Sequence, residues 1–219
     1  MPRGIDISEF NGGINLWNWN WNWKPEFVII RAGDGNYVDV DVFENIEKCR
    51  EAGIPYGLYW LIRDWSIADA EKTAAKLCEF ASAQPVPPSV GIWCDVEGEY
   101  DDDPSKAIPF VDAFCRTVED SGYYAGIYCN QHYHNSLYPA LSRFDCWIAF
   151  WDEDPNEDPG YGTMKQYSTS KGRLDLDVCF VPLETYQIKK PDPVLSIEDR
   201  VSILEDKIKK LEELIHESN

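Results

Sequence analysis

Eight short runs of β-prone residues, spread through most of a 219-residue chain, limit its fold more than any other feature. They are GIDISEF (4–10), FVIIRAG (27–33), YGLYWLI (56–62), GIWCDVE (91–97), AGIYCN (125–130), CWIAFW (146–151), MKQYS (164–168) and LDVCF (176–180). Longer stretches separate the first five, and several carry the three-and-four spacing of an amphipathic helix. The clearest is SIADAEKTAAKLCEFASA, which Ser66 is placed to cap; PSKAIPFVDAFCRTVEDSG is another, with Gly122 as its stop. After the fifth run the connections shorten and turn loop-like. Strands alternating with helices, then strands joined irregularly, predict an α/β fold: a β/α barrel incomplete in its last units.

Barrels of this kind carry their chemistry at the C-terminal ends of the strands. Acidic residues recur there: Asp6 on the first run, Asp95 and Glu97 on the fourth, Asp175 or Asp177 on the last. Side chains alternate along a strand, so Asp95 and Glu97 point to one side. Two carboxyls sharing a half-buried face repel when ionised, and burial raises the cost. A D-x-E ending an apolar strand, with another acid on strand one, therefore points to an acid/base site.

Composition narrows the ligand. A formal charge of −19 excludes nucleic acid as a natural partner and argues against anionic membranes or anionic wall polymers held by charge. With 14% aromatic residues, a neutral ligand gripped by ring faces and hydrogen bonds fits better. The seven cysteines are an odd number with no C-x-x-C pair, and five lie inside apolar runs; they read as buried thiols in a reducing compartment. The opening MPRGIDISEF has no apolar leader, and no run approaches membrane-spanning length, so synthesis and accumulation in the cytosol are expected. Neither the acidic WDEDPNEDPG and DDDP stretches nor QHYHN has the ligand spacing of a calcium or zinc site, so no metal is expected.

In this order and spacing the runs resemble glycoside hydrolase family 25, the lysozymes (muramidases) common among phage endolysins. The resemblance covers roughly residues 4–182: GIDISEFNGG, FVIIRAGDG, AGIPYGLYW, GIWCDVEG, GIYCNQHY, WIAFW and KQYSTSKGRLDLDVCF. It implies five β/α units followed by three strands, and cleavage of the β-1,4 bond after N-acetylmuramic acid in peptidoglycan, without a cofactor. It implies that Glu97 protonates the leaving oxygen. Asp95 would either keep Glu97 protonated or orient the 2-acetamido group, and Asp6 and Asp175 match the two remaining active-site carboxylates. Candidate substrate-binding residues are Tyr59, Trp60, Tyr128, Trp147, Trp151, Gln166, Tyr167 and, ranked below Asp175, Asp177. Trp60 and Phe150 stand where the family often has His and Arg, which bears on the sugar-stacking surface.

Two rival classes have sequence tests. A barrel that binds carbohydrate without cleaving it would have lost Glu97 or Asp95, and both are present. A chitinase-type hydrolase needs an acid at position 93, where this chain has Trp93. In LWNWNWNWKPEF, Trp17, Trp19, Trp21 and Trp23 recur at period two; packing in the first connection is the simpler reading, a sugar platform the alternative.

Residues 1–187 are thus expected to form the catalytic domain and 188–195 a linker. Residues 196–219 read as an amphipathic helix with Val201, Ile208 and Ile215 at position a and Ile197, Leu204 and Leu211 at d. Branched residues at a with mostly Leu at d favour a parallel two-stranded coiled coil, so a homo-oligomer is expected, a dimer first. The alternative is a single helix docked on its own barrel. Without a leader but with a wall-degrading site, the chain fits an endolysin that collects in the host cytoplasm and acts on the wall after the membrane is breached.

Overall fold

The computed structural model describes residues 1–16, 23–63, 66–170 and 174–187. Among them nine strands form one sheet: β1 (Arg3–Ile7), β2 (Phe27–Asp34), β3 (Tyr37–Val38), β4 (Tyr56–Leu61), β5 (Ile92–Asp95), β6 (Ala125–Asn130), β7 (Asp145–Ala149), β8 (Met164–Ser170) and β9 (Leu174–Cys179). The two-residue β3 only folds back on β2. The other eight close on themselves, because β1 pairs with both β2 and β9. Neighbours run parallel from β1 to β8, while β9 is antiparallel to β8 and to β1. All eight expected strands are present in this TIM-like barrel.

Among the described residues four α-helices cover it: α1 (Val42–Ala52), α2 (Ile67–Ser82), α3 (Ile108–Asp120) and α4 (Gln131–Leu141), after β2 and β3, β4, β5 and β6 in turn. The described part of the first connection carries a single 3-10 turn, Glu9–Asn11. Helix α2 starts where its sequence says, the Ser66 hydroxyl accepting from the Asp69 amide. Helix α3 stops at Ser121, and Gly122 takes the left-handed φ of 83° that lets the chain turn away. No described helix is long and apolar enough to cross a membrane. All seven cysteines are free and buried.

Strand alternation sorts the core into two layers. Ile5, Ile7, Val28, Ile30, Leu58, Cys94, Ile127, Ile148 and Val178 point outward under the helices, and half-buried Trp23 packs against this layer. Trp17, Trp19 and Trp21 lie outside the described residues. Phe27, Ile29, Trp93, Trp147, Met164 and Cys179 point inward. Trp93 is wholly buried at the centre; its indole N–H donates to the Val90 carbonyl at 2.9 Å, and its ring meets Trp147 and Tyr186 edge-on at 6.0 and 5.6 Å. Each such aromatic pair adds about 0.5–1.5 kcal/mol beyond area burial. The residue that argued against a chitinase is therefore the plug of the barrel.

Gly126 on β6 makes room for that plug: a Cβ there would lie 2.3 Å from Trp93 Cζ3. Gly126→Ala should cost about 1–3 kcal/mol through overpacking. Urea unfolding checks this, and an unchanged midpoint would show the packing here to be loose.

Candidate active site

Above the plug, the inward positions become polar. A cleft of about 230 Å³ opens at the C-terminal ends of the strands, lined by Asp6, Tyr59, Asp95, Glu97, Tyr128, Trp147, Trp151, Gln166 and Asp175. These nine are among the twelve residues expected from sequence. Seven strands, β1 and β4 to β9, bring these side chains together for one reason: each lies at an inward position on its strand or just past that strand's upper end. The closing strand supplies Asp175 directly across from Asp6, its register partner on β1.

A hydrogen-bond chain fixes one wall. Gln166 Nε2 donates to Asp6 Oδ2 at 2.8 Å, while Gln166 Oε1 accepts from the Tyr128 hydroxyl at 2.9 Å and the Trp151 indole at 2.8 Å. The Tyr59 and Tyr128 rings pack on Trp147 at 5.9 and 4.5 Å. Trp151 stands at the rim, 63% exposed, with its N–H held and its ring free.

Four carboxyls in so small a volume cannot all be ionised. Burial first, then the charges of Glu97 and Asp6, pushes Asp95 well above the carboxylate range, and its Oδ1 has no hydrogen-bond partner among the described residues. Burial and then the Asp175 charge raise Asp6 to about 8, although Gln166 bonds its charged form. Burial raises Asp175. Glu97 is raised by burial too, against the pull of the nearby Arg63 guanidinium. Arg63, just after the strand run YGLYWLI, is itself held by Asp34 and Glu99. Sequence reading passed over this arginine, whose only signal was its place at a strand end. The outcome is a set of carboxyls all raised above their ordinary range, which is the direction that general acid catalysis requires.

Three expected binding residues do not line the cleft. Because Tyr59 points in, Trp60 points out; it packs beneath α2 beside Leu77 and Phe80 and donates to the Gly35 carbonyl at 3.1 Å. Tyr167 follows the inward Gln166, and a bulge between Gln166 and Ser168 leaves it buried in the outer layer. Asp177 faces in but one step deeper, fully buried, accepting the Trp147 indole N–H at 2.8 Å. It supports an aromatic wall from behind. Burial, then the Asp6 charge, raises the Asp177 carboxyl well above the usual carboxylate range. On α4, His134 is sandwiched between the Tyr138 and Tyr161 rings at 4.2 and 4.3 Å. No cluster of described residues is arranged to hold a metal ion.

The sequence matches the model of glycosyl hydrolases family 25 over residues 5–175. No curated protein matches it. Among solved structures, the modular autolysin LytC from Streptococcus pneumoniae, in complex with a synthetic peptidoglycan ligand, superposes with a TM-score of 0.68 at 25% identity. That match covers 80% of this chain and 46% of the autolysin, so the chain spans about half the length of that relative. A family 25 glycosyl hydrolase from Bacillus anthracis shares the fold at a TM-score of 0.68 and 19% identity, over 86% of this chain and 94% of that one. The catalytic domain of endolysin ply40 from bacteriophage P40 of Listeria monocytogenes does so at 0.66 and 18%, over 84% and 96%.

Two outcomes follow from the buried acids. Between pH 3.8 and about 8 an unfolded Asp6 is ionised while the folded one keeps its proton. Its contribution to stability is whole below that window and fades as pH rises through it. Asp6→Asn should flatten the fall in melting temperature from pH 5 to pH 8; an unaltered slope would mean Asp6 is ionised in the fold. Asparagine also mimics a neutral acid at position 177 but not the carboxyl facing the cleft at 175. Asp177→Asn should keep kcat/KM within about threefold, and Asp175→Asn should lose about a hundredfold or more.

Proposed function

The chain belongs to glycosyl hydrolase family 25, and on that footing we propose that it is a muramidase, cutting the β-1,4 bond between N-acetylmuramic acid and N-acetylglucosamine in peptidoglycan. The observation that carries this reading is the cleft itself: raised carboxyls on β1, β5 and β9 beside an exposed indole, at the C-terminal mouth of a barrel. Glu97 is the proton donor. It is the acid of the D-x-E pair nearer the opening, and Asp95 beneath it stays neutral or shares its proton. Asp6 and Asp175 lie across the cleft, where a carboxylate answers the positive charge developing on the sugar ring. Trp151, Tyr128 and Tyr59 offer the apolar faces on which pyranose rings stack.

Hydrolysis of purified peptidoglycan should release fragments with muramic acid at the new reducing end, and chitin should not be cleared. Reducing ends on glucosamine would overturn the bond assignment. Glu97→Gln fills the same space but has no proton to give, so kcat should fall by about 10²–10⁴-fold with binding of wall fragments kept.

The biological role we propose is bacteriolysis by an endolysin made in the host cytoplasm and released onto the wall through a breached membrane. The seven free, buried thiols, which fit a reducing compartment, support it. Self-association through residues 196–219, which lie outside the described residues, belongs to the same proposal. Linking two catalytic units raises effective concentration on a repeating polymer. Light scattering should give a dimer at tens of micromolar for the full chain and a monomer for a chain ending at Pro191 that still hydrolyses soluble fragments. A monomeric full chain would end the idea.

A further inference from the structure

The acidic segment after β7, WDEDPNEDPG, folds around a lysine. Lys165 on β8 has no solvent exposure. Its ammonium uses all three donors on one loop: the Asp152 carboxylate at 2.6 Å, the Asp154 carbonyl at 3.0 Å and the Glu157 carbonyl at 2.9 Å. The Phe150 ring lies 5.2 Å from the same nitrogen. Around this hub the loop is tightly bonded. The Glu153 amide donates to the Tyr167 carbonyl, the Asp154 amide to Asp152 Oδ1, and the Asn156 amide to Asp154 Oδ1. Glu153 sits at a φ of 61°, a left-handed conformation costly for a residue with a Cβ, and alone in this among the described non-glycines. Something must hold it there. An unpaired ammonium at zero exposure is prohibitive, so the lysine and the loop each require the other.

The loop opens with Trp151, the rim indole. Consecutive residues of β8 grip consecutive residues of the loop from opposite faces of the strand: Gln166 takes Trp151 on the cleft side, and Lys165 takes Asp152 on the outer side. We infer that Lys165 is a positioning residue for the sugar-binding rim, fixing the 151–157 loop so that Trp151 presents its ring at the mouth of the cleft. This rests on the muramidase reading and on Trp151 as a stacking surface. The loop's oxygens close on an ammonium supplied by the chain itself, so rim geometry holds without a bound cation.

The test is a double-mutant cycle on soluble peptidoglycan strands with Lys165→Met and Trp151→Ala. Trp151→Ala should raise KM several-fold with kcat within twofold. Lys165→Met should raise KM by about the same factor, and the double variant no further. Additive KM effects, an unchanged KM in folded Lys165→Met, or an unchanged KM in Trp151→Ala would each overturn the inference. If Lys165→Met does not fold, Asp152→Asn removes the loop's carboxylate alone and should show a smaller KM rise, absent in the Trp151→Ala background. Amide exchange separates this inference from the muramidase reading. Loss of protection at Glu153 and Asp154 in Lys165→Met or Asp152→Asn, with β5 unchanged, supports the clamp whatever the substrate proves to be. Retained protection ends it.

Discussion

A closed barrel has an inside that must be filled, and that constraint orders everything else in this protein. Trp93, Trp147, Phe27 and Met164 occupy the inward positions of the lower strands, and Gly126 gives up its side chain so that the Trp93 ring can cross the centre. The filling stops one layer short of the top. There the inward residues are Asp6, Asp95, Gln166 and Asp175, walled by Tyr59 and Tyr128. The apolar plug lowers the local dielectric under the acids, and their neighbours deny them mutual charge relief. The same packing that stabilises the lower barrel thus sets the protonation of the upper one. Water reaches Glu97 and Asp175 more readily than Asp95 or Asp177, so the acids differ in depth before they differ in role.

Much of this was legible in the sequence. Eight β-prone runs, the Ser66 cap and the Gly122 stop fixed the order of elements, because each depends on residues close together in the chain. The D-x-E pair was legible for the same reason: period-two alternation puts Asp95 and Glu97 on one side whatever surrounds them. Trp60 and Tyr167, candidates from the family resemblance, sit beside true cleft residues, and adjacency on a strand means opposite faces. Tyr167 further depends on a bulge that no local pattern announces. Asp177 has the right face but the wrong depth, which is a matter of register against Gly4. Lys165 was invisible for a different reason. A lysine between Met164 and Gln166 reads as a solvent-facing strand residue, and the oxygens that bury it come from a loop whose acidity reads as a wet rim.

Charge in this chain is therefore poorly described by its total. The formal −19 counts every carboxyl as ionised, buried ones included, while the groups around the cleft are arranged pair by pair. Arg31 lies between Glu9 and Asp39, with the Phe10 ring 4.7 Å away, and Arg63 bridges Asp34 and Glu99. These arginines join the connections after β1, β2, β4 and β5 into one frame around the opening. Pairs as exposed as those of Arg63 are worth at most about 1 kcal/mol each, so their value lies in geometry. The Arg31–Asp39 pair is buried, and removing one partner there strands a charge.

The closing hairpin has a consequence for the timing of synthesis. Asp6 and Gln166 touch across 160 positions of sequence, and Asp175 reaches the cleft only when β9 inserts between β8 and β1. A ribosome that has delivered the first five strands has made the D-x-E pair but not the site. Contacts so distant along the chain form late, after loop closure over nearly the whole barrel. The nascent polypeptide therefore has no assembled cleft until its last strand has emerged and closed the barrel against its first.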